Sequence, residues 1–226
     1  MVTPYYQDDH VTLYHGDCLT EHREWLNADV LVTDPPYGRS WRQGDTAVAR
    51  GWEANERNGI AGDDSSRTRD DALILWGTKP GIVFGDLLIP APSNTKQVLV
   101  WAKGPNAGYM GTFAGFRRDL EGVYIVGSWR GGVDGETSVL ASRGVSGGNL
   151  ARTTGHPHTK PADVMERLIG KCPPGIVADP FAGSGSTLVA AKALGRRAIG
   201  VELEERYCEM AAKRLAQDLL ELEWTA

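Results

Sequence analysis

Four consecutive residues, Asp34-Pro35-Pro36-Tyr37, end an apolar run from Val30 to Thr33 that has the length and composition of a buried strand. An acid, two rigid prolines and an aromatic at a strand tip suit one demanding task, which is freeing the lone pair of an amine that is delocalised into a ring. The Asp34 carboxylate and the Pro35 carbonyl, fixed by the Pro35-Pro36 geometry, are two acceptors for the amine hydrogens, and engaging both favours a tetrahedral nitrogen. Tyr37 adds a face on which a base drawn out of a duplex would stack. The plain alternative is a strand terminator followed by a turn. A cysteine nucleophile, which attack on C6 in cytosine C5 chemistry requires, has no Pro-Cys setting in this chain.

A second constellation lies far downstream, in Ile176-Val177-Ala178-Asp179-Pro180-Phe181-Ala182-Gly183-Ser184-Gly185-Ser186-Thr187. It reads as strand, turn and helix. Gly183 and Gly185 permit positive φ and close approach of a ligand, and the helix is expected to open at a Ser/Thr cap with free N–H groups pointing outward. A second strand, Arg197 to Val201, then ends in Glu202, where the acid of a βαβ unit grips the hydroxyls of a ribose. The other use of Glu202 is as a first-turn acid of the next helix; the glycine turn favours the ribose. The turn is neither GxGxxG nor GxxxxGK[ST], so a pyrophosphate or triphosphate is not expected. An adenosine ligand without pyrophosphate, S-adenosylmethionine, fits better.

The elements that must position these groups follow the same alternation. Val11 to Tyr14, Val30 to Thr33, Gly81 to Phe84, Val98 to Trp101, Val123 to Val126, Ile176 to Ala178 and Ala198 to Val201 are short runs rich in Val and Ile. Their continuous apolar character predicts strands covered on both faces, hence an α/β fold. Helices are predicted over Pro161 to Ile169, Thr187 to Leu194 and Leu203 to Leu222. Two stretches, Arg39 to Ser66 and Gly131 to Gly155, show no sustained period and read as long loops. From Thr137 the second runs into an acid-free span, ending at Ala162, that holds Arg143, Arg152, His156, His158 and Lys160. It reads either as a solvated loop or as a phosphate-contacting surface.

Composition bounds the setting. With 226 residues, 41% hydrophobic, the chain is expected to form one domain spanning 1–226. No run is long and apolar enough to span a bilayer, and the opening MVTPYYQDDH lacks signal-peptide regions, so a soluble, cytoplasmic protein without membrane partners is expected. Cys18, Cys172 and Cys208 lack CxxC spacing and are read as reduced thiols, with no metal site expected. The net charge of -5 argues mildly against coating of nucleic acid, though not against one basic cleft.

Taken together, Asp34-Pro35-Pro36-Tyr37, His156-Pro157-His158-Thr159-Lys160-Pro161, Asp179 to Thr187 and Gly200-Val201-Glu202-Leu203 resemble the motifs of the DNA adenine N6 / cytosine N4 amino-methyltransferases. Their order, with the catalytic tetrad before the donor turn, is similar to the permuted β-group of that family. The resemblance implies a Rossmann-like fold of the class I S-adenosylmethionine-dependent type, with a seven-stranded, mostly parallel sheet and helices on both faces. It implies Asp34, Pro35, Pro36 and Tyr37 as catalytic residues. Donor contacts are implied for Asp17 and Cys18 in Gly16-Asp17-Cys18, for His156, Thr159 and Lys160, for Asp179, Phe181, Ala182, Gly183, Ser184, Gly185 and Thr187, and for Glu202 and Leu203. The DPPY form is typical of adenine N6 enzymes, so the expected reaction is methylation of adenine N6 in DNA, with cytosine N4 as the alternative and an inactive nucleic-acid-binding relative as the third reading. The compact chain leaves only the loops near 39–66 and 131–155 to contact DNA, which implies short or relaxed site recognition. A second copy of the chain and a cognate restriction endonuclease encoded elsewhere are partners compatible with the family.

Overall fold

A computed structural model describes residues 3–40, 60–104, 107, 112–129, 135–142 and 159–223, with side chains to residue 217. Along the chain run β1 (Tyr6–Gln7), β2 (Val11–His15), a 3-10 turn (Glu24–Asn27), β3 (Val30–Thr33), α1 (Arg67–Trp76), β4 (Gly81–Gly85), β5 (Thr95–Ala102), β6 (Leu120–Val126) and β7 (Val139–Ala141). They are followed by α2 (Ala162–Gly170), β8 (Val177–Asp179), α3 (Ser186–Ala193), β9 (Ala198–Glu202) and α4 (Glu205–Glu223).

All the described strands join one sheet in the order β1-β2-β9-β8-β3-β4-β6-β5-β7. The pairs β2-β9, β9-β8, β8-β3, β3-β4 and β5-β7 are parallel, and β1-β2, β4-β6 and β6-β5 are antiparallel. The expected fold class holds, and the expected count of seven does not. Among the described residues the sheet has nine strands, because two short ones extend the edges. Tyr6–Gln7 folds back on β2, and Val139–Ala141, inside the stretch expected to be a loop, pairs with Val100 to Ala102 of β5. Runs of two and three residues carry too little periodicity to be read from sequence.

The apolar runs are continuous because both faces are covered. Val30, Val32, Ile82 and Phe84 enter one core with Val164, Met165, Leu168 and Ile169 of α2, Leu188 of α3 and Leu215 of α4. Leu31 and Val83, which point the other way, enter a second core with Trp25 of the 3-10 turn and Ala72 and Trp76 of α1. The Trp25 and Trp76 rings stack at 5.8 Å, and Trp25 Nε1 donates to the Cys18 carbonyl at 3.0 Å. Each fully buried Val, Leu, Ile, Phe or Met among these stabilises the fold by about 1.5–3 kcal/mol. Helix α1 was not predicted, since its first half, Arg67-Thr68-Arg69-Asp70-Asp71, offers no apolar face.

At the sheet centre the connections diverge, because the chain leaves β3 towards β4 and leaves β8 towards β9. Such a switch point leaves a crevice outside the carboxyl ends of the two strands. The residues that follow β3 and β8 are Asp34-Pro35-Pro36-Tyr37 and the glycine turn. That turn has Gly183 at φ 51° and Gly185 at φ 81°. A Cβ on Gly185 would also stand 2.9 Å from Ala211 Cβ on α4. Gly185→Ala is therefore expected to lower stability by about 1–3 kcal/mol through left-handed strain and overpacking, measured as a drop in the urea midpoint with an unchanged m-value.

Candidate active site

The crevice is a cleft of about 990 Å³ whose walls include Asp34, Pro35, Pro36 and Tyr37 on one side and Asp17, Phe181, Gly183, Glu202 and Leu203 on the other. Its floor is the seam between β3 and β8, where the Thr33 hydroxyl donates to Asp179 Oδ1 at 2.7 Å. Asp179, 2% exposed, also accepts the Phe181 N–H at 3.2 Å and a bond from the Thr187 hydroxyl. Burial pushes its carboxyl up to about 6, against those hydrogen bonds. Asp179 thus fastens the turn to both strands. Helix α3 starts differently from expectation. The cap is Gly185, with no side-chain cap bond, and Thr187 spends its hydroxyl on Asp179.

Glu202, at the tip of β9, is 8% exposed and holds the turn from the opposite side. Its Oε2 accepts Gly183 N–H and its Oε1 accepts Glu204 N–H, both at 2.8 Å. Each oxygen keeps a further lone pair for a ligand hydroxyl. Burial pushes the carboxyl up to about 7, with Glu204 and Asp179 acting in the same direction. Ala182 N–H donates to the Val201 carbonyl and Gly16 N–H to the Glu202 carbonyl, both at 2.9 Å, which brings the Asp17 segment to the same rim. Asp17 Oδ1 caps Leu19 N–H at 2.7 Å. Cys18 is buried, with its thiol pushed up to about 12 by burial and by the Asp17 charge, so it packs rather than reacts.

The other half of the cleft is built from charge. Tyr37 donates its hydroxyl to Asp34 Oδ1 at 2.6 Å and lies 3.3 Å from Glu121 Oε2. Burial and the two carboxylates hold that phenol well above its ordinary value. Lys160, 5% exposed, donates to Asp34 Oδ2 and stands 3.4 Å from Glu121 Oε2 and from the Tyr37 hydroxyl. Lys103 pairs with Glu121 from the open side. Burial depresses the Lys160 ammonium, but the Asp34 and Glu121 charges and hydrogen bonds outweigh it and raise its pKa overall.

The family model for DNA methylase (N6_N4_Mtase) matches residues 51–213, most of the chain. The chain belongs to the N6/N4 DNA methylase family. YubD of Escherichia coli (strain K12), which carries a methylase name, is 29% identical over 220 residues, covering 89% of this chain and 88% of YubD. The type II methyltransferase M.ScaI of Streptomyces caespitosus is 44% identical over 64 residues, only 27% of this chain and 21% of its own length. Among solved structures, the M1.HpyAVI–SAM complex superposes with a TM-score of 0.61 at 23% identity, covering 91% and 98% of the two chains. The cytosine-N4-specific PvuII DNA methyltransferase does so with 0.61 at 16%, covering 93% and 88%.

The methyl donor of the N6/N4 methylases is S-adenosylmethionine. The residues present fit it. Glu202 keeps lone pairs for two ribose hydroxyls, Phe181 and Leu203 give apolar walls, and the glycine turn brings backbone to the cleft. Thr159 also reaches this side, its Oγ1 being 3.2 Å from Ser184 Oγ, while Arg214 donates to the Ser184 carbonyl at 2.6 Å. The ammonium of Lys160, a residue expected on the donor side, lies against Asp34 and the Tyr37 hydroxyl. His156 and most of the stretches 39–66 and 131–155 lie outside the described residues. Sequence reasoning missed Glu121, Lys103 and Asp63. Asp63, 3% exposed, accepts Gly38 N–H at 2.7 Å and so anchors the end of the tetrad. The one available signal was an acid, Glu121, inside an otherwise apolar strand.

Proton linkage at Glu202 gives a direct test. Its folded value, about 7, exceeds the ordinary 4.5, so the folded state holds this proton longer. In the free protein this contribution to stability is lost as pH rises between those values. Ribose hydroxyls donating to Glu202 would favour its carboxylate, so donor affinity should then rise with pH up to about 7 and level off above it, with protons released on binding. Calorimetry in buffers of different ionisation enthalpy measures that release, and Glu202→Gln should abolish it while weakening binding about tenfold or more.

Proposed function

We propose that this chain methylates the N6 amine of adenine in DNA, using the tetrad Asp34-Pro35-Pro36-Tyr37 on a base turned out of the duplex. The observation that carries the reading is that Asp34, just past the end of β3, and Glu202, at the end of β9, open on one cleft from either side of β8. An acceptor for an amine and a grip for a ribose therefore face each other across the β3-β8 seam.

When bound, S-adenosylmethionine supplies an electrophilic methyl group on a sulfonium. Asp34 and the Pro35 carbonyl accept the two amine hydrogens and orient the nitrogen lone pair towards the donor half. Held by Glu202 and the glycine turn, the donor would supply that methyl to the nitrogen lone pair, with the neutral sulfide as the leaving group. The nitrogen then carries a positive charge and gives up one proton to Asp34, from which water removes it. Tyr37 supplies the stacking face that replaces the neighbours lost on flipping.

Adenine is favoured because the tetrad begins with aspartate, the form the resemblance associates with N6 enzymes. Cytosine N4 is the second reading, favoured by the fold shared with the cytosine-N4-specific PvuII enzyme. The donor turn follows the tetrad in sequence, the order of the permuted β-group. We take the whole chain as one catalytic domain, with the donor contacts named above. The segments near 39–66 and 131–155 supply short or relaxed recognition of the site, and a restriction endonuclease, where one is paired with it, comes from another chain.

Asp34→Ala is expected to lower transfer of labelled methyl to DNA by about 10²–10⁴-fold while donor binding changes less than about threefold, since Asp34 lies outside the donor half. A wild type and a variant that transfer methyl equally would overturn the role of the tetrad. A wild type that binds DNA without transferring methyl would favour the binding-only reading.

A further inference from the structure

Lys160 poses a question that the proposed reaction leaves open. A lysine 5% exposed must be compensated, and this one has its ammonium against Asp34, Glu121 and the Tyr37 hydroxyl, with the rings of Phe84 at 5.0 Å, Tyr37 at 5.8 Å and Trp101 at 5.9 Å completing its walls. None of these contacts belongs to the donor half. The backbone around it divides the work, because its neighbour Thr159 reaches Ser184 of the glycine turn while Lys160 reaches back to the end of β3. One dipeptide thus touches both halves of the cleft.

We propose that Lys160, held by Glu121, is a positioning residue for Asp34: it clamps Oδ2 and so leaves Oδ1 as the oxygen presented to the amine. This deepens the reading of the reaction given above and rests on it. The hydroxyl of Tyr37 now donates to Oδ1 at 2.6 Å, occupying with an O–H the place an amine N–H would take. Glu121 Oε2, 3.3 Å from the same hydroxyl, is the acceptor that receives it when a base arrives. Glu121 therefore has two tasks, as counter-charge to Lys160 and as the alternative anchor for Tyr37, and Lys103 on its other oxygen keeps it in place. Without the clamp the carboxylate of Asp34 turns about its side-chain bonds, and small misplacement of an acceptor is costly in rate.

The chemistry expected of a donor-contacting lysine differs from that of a clamp, which makes the two separable. Lys160→Met should lower the maximal rate of methyl transfer at saturating donor by about 10²-fold, with donor affinity changed less than about threefold. Lys160→Arg, which keeps the charge, should recover part of that rate, and Glu121→Gln should lower the rate by a smaller factor without weakening the donor. The proposal is overturned if Lys160→Met weakens donor binding tenfold or more while the rate at saturation stays near wild type. Should the wild type prove inactive on every DNA, the reaction falls and the clamp is read from denaturation midpoints instead. A loss caused by Lys160→Met that shrinks in the Asp34→Asn background supports the clamp, because removing one partner strands a buried charge. Strictly additive losses overturn it.

Discussion

The parallel pairing of β3 with β8, sealed by the Thr33 hydroxyl on Asp179, is the constraint on which the site depends. Residues 146 apart in sequence meet there, and the two strand tips release their chains into opposite walls of one cleft. Everything proposed for the reaction follows from that adjacency. Each wall would otherwise be an ordinary turn, since a strand-ending acid and a glycine turn have common structural uses. The strands themselves are held by cores on both faces, with helices α2, α3 and α4 on one and α1 with the 3-10 turn on the other. A sheet locked from both sides fixes its carboxyl ends rigidly, which suits a site that works by placing acceptors rather than by reactive side chains.

The two walls solve the cost of burying carboxylates in different ways. On the amine side, Asp34 and Glu121 are compensated by the cations Lys160 and Lys103. On the donor side, among the groups described, Asp179 and Glu202 are satisfied by hydroxyls and backbone N–H groups, and burial lifts them to about 6 and about 7. Neutral donors leave those two groups responsive to pH, while cations fix the geometry of the first wall. The hydrogen bonds of Gly183 and Glu204 to Glu202 couple the glycine turn to the acid, so Glu202 and the turn form one unit.

Much of this arrangement was legible in the chain. The strands read clearly because a run such as Val30 to Thr33 is apolar at every position, the mark of a strand covered twice. The tetrad and the glycine turn read clearly because proline and glycine restrict or free the backbone wherever they stand. Helix α1 was hidden by its polar first half, and the edge strands β1 and β7 by their length. The role of Lys160 was hidden for a deeper reason. Its partners Asp34 and Glu121 are brought to it by strand order, and nothing local to residue 160 says which wall its long side chain will reach. Likewise Asp63 became an anchor only through the return of the chain to Gly38.

The proposed reaction places a methyl group on the N6 amine of adenine in DNA. Incubating the protein with DNA and isotopically labelled S-adenosylmethionine, digesting to nucleosides and identifying the labelled species by mass and retention tests it most directly. Label is expected in N6-methyldeoxyadenosine. Label in N4-methyldeoxycytidine would contradict the assignment of the base, and DNA without labelled nucleoside would contradict the reaction.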